Sequence, residues 1–210
     1  MEKINTNKSR FSLFFIFIKN NLKLLIYCII AILILIAGFE YYKFDKTKKI
    51  KKISINYFKA INKLDLGDQD SIILLNDVAK SKNGYGIMSK IKLIDNLINK
   101  KEYYQAYEKY NLLINDVNLE VLYRDLIIVN AGYNLIGHVK NQEILNLIEM
   151  ADINTTAFKS HIYEIKYINS IGLLNDNELN KLYEFIQNDI EIINEVKRRI
   201  KKINEFMIYE

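Results

Sequence analysis

A chain of 210 residues has room for one membrane segment and a domain of about 150 to 170 residues. It contains no proline, seven glycines and a single cysteine, which disfavours long irregular segments and excludes a disulfide framework or cysteine metal site within one chain. The formal charge of +5 is unevenly placed: residues 1–23 carry five basic groups and one acid, residues 40–65 eight lysines and three acids, and residues 66–210 17 basic groups and 21 acids. Positive charge flanking an apolar stretch suits anionic lipid headgroups, whereas nucleic acid is bound by a basic folded surface, which the mildly acidic body does not offer.

Residues 1–21 form an N-terminal tail. Within it FSLFFIFI, Phe11 to Ile18, is too short to span a bilayer and is expected at the interface or as an extension of the membrane helix. Residues 22–42, LKLLIYCIIAILILIAGFEYY, are the most apolar stretch, with sixteen uncharged residues from Leu24 to Phe39. Sixteen helical residues cover about 24 Å and twenty-one about 31 Å, against a hydrocarbon core of about 30 Å. Lys23 can snorkel at one end, and Tyr41 and Tyr42 can sit at the opposite interface. These features predict a transmembrane helix, with Cys28 as one of its small apolar residues. Ile34, Leu35 and Ile36 before Ala37 lack a small-x-small cleavage pattern, so an uncleaved anchor is expected.

Residues 43–52 read as a basic linker. The flank after the apolar run holds Lys43, Lys46, Lys48, Lys49, Lys51, Lys52 and Lys59, against Lys8, Arg10, Lys19 and Lys23 before it. That balance favours a cytoplasmic body by the positive-inside rule, but the difference is modest and charge alone leaves topology open.

Residues 53–190 read as amphipathic helices joined by short polar turns, with a C-terminal capping helix over 191–210. The predicted helices are about 50–65, 69–80, 85–99, 102–115, 118–136, 140–150, 155–173, 176–188 and 189–207. Gly67, Gly84, Asn115-Asp116 and Asn175-Asp176 punctuate them. Around residue 100, Leu93, Leu97, Tyr103, Ala106, Tyr110 and Leu113 fit a tetratricopeptide helix-turn-helix repeat. Leu93 and Leu97 share one face of the first helix. Ala106 is small where two helices approach, and Tyr110 and Leu113 fill the groove. Lys101 takes the turn position often held by glycine. Ile72 precedes Ala106 by 34 residues, with Gly67 in the corresponding turn. Leu179, Tyr183 and Ile186 repeat the pattern less cleanly. The fold predicted is all-α, an N-terminal transmembrane helix followed by a TPR-like α-solenoid, in which Tyr103, Tyr110, Tyr163, Tyr167 and Tyr183 pack.

With its single anchor and repeat pattern, the chain resembles the YfgM-like family over about residues 15–190. The resemblance is carried by IKNNLKLL before the span, AGFEYYK at its exit and GYGIMSKIKLIDNLINKKEYYQAYEKYNLLI in the body. LEVLYRDLIIVNAGYNLI looks like that family's Arg-Asp-bearing helix, here Arg124 and Asp125. Lys101 departs from the usual turn glycine, and the basic flank after the span departs from ideal positive-inside balance. The resemblance implies a bacterial inner-membrane protein with a cytoplasmic N terminus and a periplasmic domain. It further implies an ancillary role at the SecYEG translocon, with contacts to periplasmic chaperones. It supplies no catalytic residue.

The residues themselves point away from enzymatic chemistry and a small-molecule substrate. There is no phosphate-binding glycine loop or zinc-spaced histidine pair, and His138 and His161 are 23 residues apart. Gly84 to Gly86 read as a helix start or turn. No metal or cofactor is expected. Arg124 and Asp125 are expected to pair with neighbouring helices, or Arg124 to contribute to a partner site. The functional expectation is a membrane-anchored protein–protein adaptor; the alternative is a structural scaffold of another inner-membrane complex with no export role.

Overall fold

A computed structural model describes residues 16, 18–65, 70–117 and 119–208. Phe11 to Phe15, Phe17 and Gly67, to which the sequence assigned roles, lie outside the described residues. The described residues are helical, with no strand. Nine helices are labelled here in chain order: α1 Leu22–Asp65, α2 Asp70–Ala79, α3 Gly84–Asn99, α4 Tyr103–Ile114, α5 Val121–Leu135, α6 Asn141–Ile148, α7 Lys159–Ser170, α8 Asp176–Asn188 and α9 Asn194–Ile208. The chain divides into two compact units, Met1–Ile55 and Asn56–Glu210.

In the first unit, α1 carries the apolar run. Among the described residues it is the one helix long and apolar enough to cross a membrane, and the apolar window is not buried at all. Leu24, Ile29, Leu33, Ile36 and Phe39 are all exposed. A core helix of a soluble domain would bury such residues. Residues 43–52, expected as a linker, are instead helical. KFDKTKKIKK holds neither glycine nor proline, and lysine is a good helix former. Asp45 pairs with Lys49 at 2.7 Å across one turn, in the acid-first order that suits the helix dipole. The Thr47 hydroxyl donates back to the Lys43 carbonyl at 2.8 Å.

In the second unit, Tyr57 and Ala60 near the end of α1 are buried, and the Tyr57 and Tyr85 rings lie 5.7 Å apart. Each of α2 to α9 packs on its neighbour in sequence, and α5 also packs on α7 and α7 on α9. Short polar signals start the helices. Asn83 caps α3 by accepting from the Gly86 N–H, and Asn175 caps α8 by accepting from Glu178 N–H at 3.0 Å. The Gly84 to Gly86 stretch is therefore a helix start.

The hairpins close in a common way. Lys101, Gly137 and Gly172 have φ of +60°, +76° and +76°, and no other described non-glycine residue has a positive φ besides Lys101. They follow α3, α5 and α7 and stand 36 and 35 residues apart. At Lys101 the geometry is a Schellman close: its N–H reaches the Ile98 carbonyl and the Glu102 N–H reaches back to Leu97, both at 2.9 Å.

Two apolar cores result. The larger runs from Ile94 of α3 through α4, α5 and α6 to Ile165 of α7. The second joins Tyr167 to Ile186 of α8 and to Val196 and Ile200 of α9. At the margin of the larger core, α5 and α7 approach closely at Gly132, where an added Cβ would lie 2.7 Å from Ile165 Cδ1.

Candidate interaction surface

The residues expected to build the repeat around position 100 separate into two environments. Ala106, Tyr110 and Leu113 are fully or almost fully buried, and Leu97 and Tyr103 pack against the same core from partly exposed positions. Leu93 lies outside that core and lines an open trough; Ile94, one residue on, holds the buried place in α3. One helical step rotates a side chain by about 100°, enough to move it from the core to its margin. Arg124 and Asp125, for the same reason, diverge. Asp125 is buried, while the Arg124 guanidinium makes one long bond, 3.4 Å, to the Leu119 carbonyl, and its Nε finds no partner among the described residues.

The trough lies over α3 with α2 and α4 on either side and has a volume of about 450 Å³. Ile72, Ala79, Leu93, Leu97 and Leu112 supply apolar lining, and Leu112 is 69% exposed. Lys90, Lys100 and Lys109 stand among the lining residues, which include no carboxylate. Lys90 is engaged by Asp116 at 3.2 Å; Lys100 and Lys109 make no ion pair among the described residues. An apolar floor edged by cations can bind an apolar segment that carries acidic groups at its margin.

A second constellation joins the first helices of successive hairpins. Glu164 of α7 is buried, and Arg199 of α9 grips it through two bonds of 2.6 Å, Nε to Oε1 and Nη2 to Oε2. The Tyr133 hydroxyl of α5 donates to Oε2 and also lies 3.1 Å from His161 Nδ1. Burial pushes the Glu164 carboxyl up, but hydrogen bonds from Arg199 and Tyr133, with the Arg199 charge, outweigh it and hold the group below its usual value. Burial, then the bond to Glu164, raises the Tyr133 phenol. With both its oxygens engaged, the carboxylate acts as a clamp across three helices.

Other polar contacts repeat this design. The buried Tyr110 hydroxyl donates to Asn130 at 2.6 Å and accepts from Asn134 at 3.1 Å, and burial pushes its phenol up to about 12. Tyr167 donates to Asn204 at 2.9 Å. Asn169 donates to the Asn141 carbonyl at 3.0 Å. Of the histidines, His138 stacks on Tyr103 with ring centroids 3.9 Å apart, and His161 faces Tyr133. No group of three or more metal-ligating side chains gathers among the described residues.

The sequence reading assigned no role to Glu164, Arg199 or Gly132. Glu164 and Arg199 are 35 residues apart, the spacing that separates two of the turn residues, and this was the signal available. No family model, curated protein or solved structure matches the chain.

Proposed function

We propose that the chain is a membrane-anchored protein–protein interaction adaptor whose second unit is a TPR-like α-solenoid. The observation that carries this is the recurrence of left-handed turn residues at 101, 137 and 172, each closing a helical hairpin. The packing of α5 on α7 and α7 on α9 supports it, because stacked repeats bury their faces against the next repeat. The exposed apolar run of α1 supports the anchor. Such a body offers extended helical surfaces to partner chains and holds them near a bilayer.

The proposed setting is the bacterial inner membrane, at the SecYEG translocon, with exported proteins and periplasmic chaperones as partners. It rests on the resemblance of the flanks and of the 84–114 region described above. Crosslinking in native membranes followed by mass spectrometry tests it. Reproducible translocon and export-factor crosslinks are expected; their absence from folded, expressed protein would end the assignment. Crosslinks to a different membrane complex alone would make the protein a scaffold elsewhere.

The proposed topology, N terminus in the cytoplasm and body in the periplasm, runs against the modest lysine excess after the span. Single cysteines at Asn5 and Glu210 in a Cys28→Ala background, probed with an impermeant thiol reagent from the periplasmic side, decide it. Labelling at 210 and not at 5 is expected. The reverse pattern would place the body in the cytoplasm and remove any periplasmic role.

A further inference from the structure

We propose that the trough over α3 is a docking site for an acidic amphipathic helix of a partner protein. This deepens the adaptor reading and rests on it. Three observations select that occupant. The floor is apolar and accessible, with Leu112 projecting from α4 at 69% exposure. The lining holds three lysines and no carboxylate, although residues 66–210 as a whole carry four more acids than bases. The trough therefore carries a sign opposite to the net charge of the body, and an acidic segment is attracted there.

Its dimensions suit a helix. Along α3 the lining runs from Lys90 to Lys100, which is about 15 Å or three helical turns. A helix of that length presents apolar anchors at i, i+3, i+4 and i+7 to one groove. Its flanking carboxylates would then meet Lys100 and Lys109, whose long side chains can reach along the rim. Lys90, already held by Asp116, contributes less. An open channel flanked by two helices fits an extended rod better than a compact metabolite, which sites normally enclose.

The full chain in detergent micelles provides the test. The probe is a labelled helix-forming peptide with leucine at i, i+3, i+4 and i+7 and glutamate elsewhere. A peptide with lysine in place of every glutamate is its control. The acidic peptide should bind and the lysine peptide should not. Leu112→Glu should weaken binding by about tenfold or more, because it sets a carboxylate against the apolar face. Lys100→Gln combined with Lys109→Glu should weaken it similarly and flatten its salt dependence. All three positions are exposed, so circular dichroism should show unchanged helicity. Failure of the acidic peptide to bind, equal binding of both peptides, or indifference to these substitutions would overturn the proposal.

A photo-crosslinking residue at Leu112, compared with one at the exposed Leu122 of α5, separates this failure from failure of the adaptor reading. Protein adducts from Leu122 alone would reject the trough and keep the adaptor. Adducts from Leu112 to lipid or to a second copy of the chain would also reject a partner helix as its occupant. No protein adduct from either position would reject both proposals.

Discussion

Replacing Lys101 by glycine should stabilise the protein. Lys101 closes α3 with φ of +60°, where a side chain crowds the following carbonyl at a cost of about 1 to 2 kcal/mol. Glycine removes that crowding. Against this, glycine makes the unfolded chain freer, costing about 0.5 to 1 kcal/mol. Losing an exposed lysine charge at the end of α3 costs a few tenths more, about 0.3 kcal/mol. The bonds from Lys101 N–H to Ile98 and from Glu102 N–H to Leu97 are backbone bonds and survive the change. The balance is a gain of about 0.5 kcal/mol, or a rise of about 1 to 2 °C in Tm for a protein of this size. Thermal unfolding of the full chain in detergent, followed by circular dichroism, reads it. Lys100→Gly is the matched control: its φ of −82° is right-handed, so glycine there only adds freedom to the unfolded chain and should lower Tm. A fall in Tm for Lys101→Gly as large as that for Lys100→Gly would show that residue 101 continues a regular helix, and the hairpin register built on it would be wrong.

Ala106→Phe should cost about 1 to 3 kcal/mol by overpacking a fully buried site beside Ile94 and Tyr110, and an unchanged melting temperature would deny the tight packing. Arg199→Ala strips the buried Glu164 of its main partner; because the Arg199 side chain is 48% exposed, the loss should fall to about 1 to 3 kcal/mol, measurable by urea unfolding. Glu164 and Asp189 are both held below their usual values, Asp189 by the Glu191 N–H and then by Lys159. Their contribution is therefore present above the unfolded-state values, about 4.3 and 3.9, and is lost as pH falls through the lower folded-state values. Urea midpoints measured across that acid range should decline less steeply in Glu164→Gln than in the unmodified protein, and parallel profiles would show that Glu164 is not a linked group.

How much was legible beforehand varied with the kind of residue. The apolar stretch Leu22 to Tyr42 announces itself because its helical length of about 31 Å matches a bilayer and its flanks are charged, and neither property depends on a fold. Helix positions in the second unit were readable because the 3.6-residue apolar period and the glycine and Asn-Asp turn signals act locally. Gly84 and the Asn175-Asp176 pair mark starts, and Lys101 stands at the turn of the repeat pattern, whereas the Asn83 cap emerged only in the structure. The basic stretch 43–52 was misread as a linker, since charge density speaks of solvation and says little about backbone conformation.

Which member of a neighbouring apolar pair enters the core was not legible. Leu93 and Ile94 are equally apolar, and only the packing of α2 and α4 on α3 buries Ile94 in the core beneath the trough while leaving Leu93 at the trough alone. Glu164 and Arg199 could not be joined from composition either, because surface carboxylates and guanidiniums are common and a buried pair exists only when α7 and α9 come together. Local periodicity and hydropathy thus set the helices and the candidate span from the chain itself. Tertiary structure alone decided the trough and the clamp, because both are made by side chains that meet only after separate helices have packed.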